Sequence, residues 1–420
     1  MIHTENEAFF YEAKNTIDRI YRENRDFKEL YWFYDTALRR SDCDYLRRKK
    51  PDLIVLGNDI PAELIYAVCD EPFYVLGGSL ETAHWADELT PRDTDPFSRS
   101  SLGWLVNPEF DLTENALIVT AISSDNRRKL VSVLHNLGRD VATLDIPPDG
   151  QTYNSSSYYK EQLISIAQTI SKYTGKRLTG RNLRQSIMDT EAAHKARQKF
   201  LSATNLSRAG ISDEARLLAL QCMYFSNSLS EWINHMNCLS TKLEESGVSY
   251  DSKEKAGERP GVLLLGSPVV FPNYKVPGLI SSAGMKIAAV ADSLSLEADL
   301  KSAAVCHSID RQIAAIAETH LGTTSSGARI HNRGLHSYFM HLVRRYKPEG
   351  IVCHILKGQI EYDFELPYIE QAAEEAGIPV FRLETDYQYQ DVEQLRIRLE
   401  AFGELLVQRK NVNQKANKPA

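Results

Sequence analysis

The chain has 420 residues, 43% of them hydrophobic and 25% charged, with a formal net charge of −7. That length suits two or three domains with full cores, and the composition is that of a folded globular protein. The acidic balance gives no electrostatic reason to bind nucleic acid or an anionic membrane surface, and no run of about 18 apolar residues is present to cross a bilayer.

The opening stretch "MIHTENEAFFYEAK" lacks the basic start and apolar core of a signal peptide, so a cytoplasmic location is expected. Residues 1–49 read as a charged helical segment. "DLIVLGN" (52–58) then reads as a strand closed by Gly57, and Pro61 opens a helix at a position where its missing N–H costs nothing. "EPFYVLGGS" (71–79), "NALIVTAIS" (115–123) and "DVATLDIPP" (140–148) are three further strands. Apolar throughout rather than alternating, these runs suit parallel strands covered on both faces. They define a first α/β domain over 50–150.

Residues 151–245 carry a helical pattern without strands, and "SYYKEQLISIAQTISKYTG" ends on a glycine, a common helix stop. The polar stretch around 246–260 reads as a linker. The strand pattern restarts with "GVLLLGSP" (261–268), "KIAAVADS" (286–293), "GIVCHILKG" (350–358) and "IPVFRLETDY" (378–387), giving a second α/β domain over 261–409. Asp391 and Gln394 are placed to cap a last helix whose Val392, Leu395, Leu399, Phe402 and Leu406 share one face. The tail, 410–420, is polar and is expected to be disordered. The fold class expected is α/β: two doubly wound Rossmann-like domains with parallel sheets, joined by a helical segment.

No GxGxxG, GxxxxGK[ST] or GxSxG motif occurs, and none of the six cysteines forms a CxxC pair. Gly57, Gly77, Gly78, Gly266 and Gly358 stand at strand ends, where doubly wound folds receive ligands and where tight turns also need glycine. Glu384 and Asp386 in "LETDY" can bind a ligand or serve as acid and base; they can equally cap a turn or pair with arginine. Arg329 and Asn332, in the hydroxyl-rich loop "HLGTTSSGARIHNRG", suit an anionic ligand or a solvated loop. Cys353 and His354 are adjacent in a strand and so point to opposite faces, which excludes a shared metal ion.

The segment "GIVCHILKGQIEYDFELPYIEQAAEEAGIPVFRLETDYQYQDVEQLRIRLEAFGELL" (350–406) resembles the 2-hydroxyacyl-CoA dehydratase family, which includes benzoyl-CoA reductase subunits and double-cubane cluster proteins. The likeness runs from about residue 260 onward, is weaker over 50–150 and thin through the helical middle. It implies two Rossmann-like domains with a 4Fe–4S cluster between them, held by cysteines from three loops. It also implies an acyl-CoA substrate in the interdomain cleft and an electron supplied by an ATP-dependent activator protein. At the matching places this chain has Asp95 in the first loop, Thr323, Thr324, Ser325 and Ser326 in the second, and Gln359 in the third. Carboxylate, hydroxyl and amide groups replace thiolates poorly on iron.

The expectation is a family subunit that binds no cluster of its own and shapes a CoA-ester site beside a homologous, cluster-bearing subunit, as a heterodimer or a homodimer. The alternative is a non-catalytic homologue that binds a CoA ester or another anion. Relocated ligands at Cys306 and Cys353 are a competing arrangement, and a hydrolase or lyase built on Asp95, Glu384 and Asp386 has no motif behind it.

Overall fold

A computed structural model of the chain describes residues 5–110, 112–150, 152–205, 210–249, 259–294, 303–306, 308–323, 330 and 332–416. Its frame is two four-stranded, all-parallel sheets. The first contains β1 (Leu53–Leu56), β2 (Phe73–Val75), β3 (Leu117–Ile122) and β4 (Val141–Asp145) in the order β2-β1-β3-β4. The second contains β5 (Gly261–Gly266), β6 (Lys286–Ala291), β7 (Gly350–Leu356) and β8 (Val380–Thr385) in the order β6-β5-β7-β8. All eight expected strands are present, each shorter than its apolar run. Trimming at the first strand follows from Gly57, whose φ of +86° leaves the extended region.

The two sheets repeat one winding. In each, the first strand lies between the second and the third, so the chain reverses its direction of travel across the sheet between β1 and β3, and again between β5 and β7. These are the topological switch points, where loops leave to opposite faces and open a crevice beyond the strand ends.

Apolar residues cover both faces of both sheets. Leu53, Val55, Leu117 and Val119 face the helices Tyr153–Thr174 and Gly180–Asn205, while Ile54, Leu56 and Ile118 pack on Phe9, Trp104 and Phe110. In the second sheet Val352 joins a cluster with Leu395 and Leu399 of the helix Val392–Ala416, and Ile351, Cys353 and Ile355 pack on the other side against Phe339 and Ile369. The helical middle thus lies against strands of both sheets. The halves also touch through backbone: Asn273 N donates to Gly78 O at 3.0 Å, and a Cβ at Gly78 would come within 2.5 Å of Phe271 O. Only glycine fits there.

Two boundaries differ from the sequence expectation. The helix Leu229–Ser249 runs into the stretch read as a linker, whose residues 250–258 lie outside the described ones. The last helix reaches Ala416 instead of giving way to a disordered tail at 410. Residues 404–416 are rich in good helix formers, and Lys410 Nζ ties the extension to Glu349 at 3.0 Å. Residues 417–420 lie outside the described ones.

Candidate functional site

Both switch points open on one cleft of about 970 Å³. Asn58 and Asp59 reach it from the end of β1, Ser123 to Arg128 from the end of β3, Pro268 from β5, and Gly358 to Tyr362 from β7. The helical middle closes it with His194, Arg197 and Tyr224.

Beneath the floor is a buried polar knot centred on Asp95. This residue caps the helix Pro96–Val106, its Oδ1 accepting from Ser98 N at 2.9 Å. Oδ2 accepts from Asn126 Nδ2 at 2.7 Å, and Oδ1 also accepts from Gln359 Nε2 at 3.1 Å. Three loops from two sheets are thereby joined. A carboxylate can only accept, so the amide nitrogen of Gln359 must face Asp95, and Oε1 is left buried with no hydrogen-bond partner among the described residues. Gly358 makes the approach possible: its φ is +90°, and a Cβ there would lie 2.5 Å from Asp93 O.

Two of the three loops marked in the sequence therefore meet, at Asp95 and Gln359. For the remaining loop, Thr323 ends the helix Ile309–Thr323, and Thr324, Ser325, Ser326 and Arg329 lie outside the described residues. The described loop that joins Asp95 and Gln359 is instead the turn after β3, where Ser124 caps the helix Asp125–Asn136 and supplies Asn126. No motif in the sequence pointed to it.

Asn332 is buried, and its Nδ2 donates to Glu365 Oε1 at 3.1 Å; Glu365 lines the cleft and also pairs with His336 at 2.8 Å. Glu384 and Asp386 do not line it. β8 is an edge strand two positions from β5, so its end, though parallel to the others, lies to one side of the switch point. Glu384 is exposed 3.5 Å from Arg382, and Asp386 accepts from Lys357 Nζ at 3.0 Å and from Gln388 N at 2.8 Å. The alternative of turn and ion-pair roles is the one these two residues fill.

Other wall residues carried no local sequence signal because their partners are far apart in the chain. Glu63, buried on the helix Ala62–Val68, pairs with His320 Nε2 at 3.2 Å. Burial alone would raise its carboxyl, but the charge and hydrogen bond of His320 outweigh it, and the carboxyl lies below its ordinary range. His194 is pushed down to about 4 by burial and by Arg197, so it stays neutral near pH 7. Arg127 is 4% exposed and bears on the cleft beside the Phe97 ring.

The cysteines sit elsewhere. Cys353 is in the core on the opposite face of β7 from His354, and burial pushes its thiol up to about 12. Among the described residues no group of three His, Cys, Asp or Glu side chains is placed to hold a metal ion, and no helix is long and apolar enough to cross a membrane.

A family model described as 2-hydroxyglutaryl-CoA dehydratase, D-component, matches residues 58–406. The chain belongs to this family. The match takes in the first sheet apart from β1, the whole second sheet, the helical middle and every wall of the cleft. Among curated members, the chain is 22% identical over 330 residues to the "Putative dehydratase subunit YjiM" of Escherichia coli (strain K12), covering 78% of this chain and 84% of that protein. It is 20% identical over 365 residues to the (R)-phenyllactyl-CoA dehydratase beta subunit of Clostridium sporogenes, covering 82% and 89%. Both relatives are named as subunits, and at these identities they share the family with this chain without fixing its substrate.

Proposed function

We propose that this member of the dehydratase family is a subunit that shapes an acyl-CoA ester site in the cleft and carries no iron–sulfur cluster of its own. The observation that carries the reading is the Asp95–Gln359 hydrogen bond. At two places where the family resemblance implies cysteines, the side chains hydrogen-bond to each other instead of converging on an open position. Both oxygens of Asp95 accept hydrogen bonds, and the nearest strand cysteine, Cys353, faces the core with a thiol held protonated. This donor set does not fit an iron–sulfur cluster, which needs thiolates free to bind iron.

On this reading a homologous, cluster-bearing subunit supplies the redox chemistry, in a heterodimer served by an ATP-dependent activator protein, and the complex is a 2-hydroxyacyl-CoA lyase or a related acyl-CoA reductase. A cytoplasmic location belongs to the same reading. A cleft of about 970 Å³ is at the upper end of what small-molecule sites offer, as an acyl-pantetheine arm requires. The second reading, a homologue that binds a CoA ester or another anion without redox chemistry, draws on the same donor set and differs only in lacking the partner.

Anaerobic purification, alone and with a cysteine-complete paralogue, followed by iron and sulfide assays, separates these. The isolated chain is expected to carry no stoichiometric iron while the complex carries iron and retains acyl-CoA. Stoichiometric iron in the isolated chain that disappears in Cys353→Ala sinks the cluster-less reading. Failure to associate with any paralogue, with acyl-CoA still bound, favours the second reading.

A further inference from the structure

Arg127 occupies a place that stability alone does not explain. It lies in the first turn of the helix Asp125–Asn136, where the positive end of the helix dipole disfavours a cation. It is 4% exposed, and its Nη1 is buried with no hydrogen-bond partner among the described residues. A buried donor left unmatched costs about 1–3 kcal/mol, and more when charged. The surroundings are nonetheless built for it. Phe97 presents its ring 5.6 Å from Cζ, and Gly57 leaves room, since a Cβ there would lie 3.1 Å from Nη2.

Three carboxylates of the wall are engaged with other partners. Asp59 accepts from Ser123 at 3.0 Å, Glu63 pairs with His320, and Glu365 with His336 and Asn332. Asp59 and Asp95 act on Arg127 through charge alone, without an ion-pair contact among the described residues. A planar guanidinium held in a cleft by an aromatic ring, short of an acceptor, is the arrangement that receives an oxyanion in two-point contact.

We propose that Arg127 is the anion-recognition residue of the cleft and holds an oxyanion of the bound ligand, a carboxylate or a phosphate. The inference deepens the acyl-CoA reading above and rests on it for the identity of the ligand. Its two sources are a carboxylate at the far end of the acyl chain and a phosphate of the CoA moiety. The depth of Arg127 beside the Asp95 knot favours the acyl end.

The test is calorimetric titration of the full chain, as wild type, R127Q, R127K and the exposed control K129Q. The probes are glutaryl-CoA, pentanoyl-CoA, adenosine 3′,5′-bisphosphate and free glutarate. R127K keeps the buried charge and most of the volume, so it remains informative if R127Q does not fold. With an acyl carboxylate as the anion, wild type binds glutaryl-CoA about tenfold more tightly than pentanoyl-CoA. R127Q abolishes and R127K reduces that preference, and pentanoyl-CoA affinity is unchanged. With a CoA phosphate as the anion, R127Q and R127K instead weaken both esters and the bisphosphate by the same factor. Affinities for all four probes within twofold of K129Q in both variants overturn the inference, as does a wild-type chain that binds none of them. Loss of ester binding in wild type with glutarate binding retained, and sensitive to Arg127, sinks the acyl-CoA reading while the anion site stands.

Discussion

Gln359 donates a hydrogen bond to Asp95 across 264 residues of chain, Nε2 to Oδ1 at 3.1 Å, joining loops that belong to two different sheets. One carboxylate thus serves as helix cap, as acceptor for Asn126 and as the tie between a loop of the first sheet and a loop of the second. Asp95→Ala removes the cap, worth about 1 kcal/mol, and strands two amide donors. A loss of about 2–4 kcal/mol in urea unfolding is expected, with Asp95→Asn losing less because it keeps an acceptor. An alanine variant as stable as wild type would mean the knot holds nothing together.

Gly358 gives a sharper test of that contact, because a glycine of similar φ elsewhere serves as its control. Gly358 and Gly377 have φ of +90° and +69°, yet a Cβ at Gly377 meets nothing within 4 Å. Gly377→Ala should cost about 1–2 kcal/mol, the left-handed penalty alone. Gly358→Ala must also displace the backbone of Asp93 and Asp95 and should cost at least about 2 kcal/mol more. Equal losses in the two variants would contradict the close approach.

His354 sets a pH dependence. Its Nδ1 lies 3.1 Å from Ser267 O, which can only accept, so Nδ1 carries the proton and the buried Nε2 is bare. Burial pushes the imidazole down to about 4, against about 6.5 unfolded. Between those values the unfolded chain binds a proton that the folded chain does not. Stability is therefore full above about pH 6.5 and falls as the pH drops toward 4, by about 2–3 kcal/mol at pH 4.5 from this group. Urea midpoints collected from pH 7 to 4.5 should show a shallower slope in His354→Leu. His194, shifted in the same direction, leaves a residual slope. A variant with the wild-type slope would show that His354 titrates normally.

Thiol labelling reads Cys353 directly. With its thiol held near 12 by burial, an alkylating reagent at pH 8 should modify exposed Cys238 in the native chain and leave Cys353 unmodified. Peptide mass spectrometry resolves the two sites. Rapid native labelling of Cys353 would place it in an accessible site and reopen it as a metal ligand.

The central strands were legible because both of their faces are covered, which makes each an apolar run; β1, from Leu53 to Leu56 and closed by Gly57, is typical. Asp95 and Gln359 were legible through resemblance, not through any property of their own, since an aspartate before proline is an ordinary cap. The sequence left Glu384 and Asp386 open between a ligand and a turn or ion pair for a topological reason: a carboxylate after a buried strand faces the crevice only near the switch point, and the order of the strands is not written in local sequence. Arg127, Glu63 and His320 went unnoticed because their roles depend on burial and on contacts made across the chain. "SSDNRRK" alone reads as a solvated helix start, and Glu63 and His320 are 257 residues apart.

One apolar cluster runs without a break from Val55 and Leu64 of the first half, through Tyr159 and Leu163 of the middle, to Val270, Leu356 and Tyr387 of the second. Sharing one interior, the two lobes have no greased plane on which to swing apart. At the mouth of the cleft the interior gives way to Phe364 and Ile360, which lie on its wall and are themselves largely solvent-exposed. The core that joins the lobes thus continues outward as an apolar rim, uncovered where the cleft meets solvent.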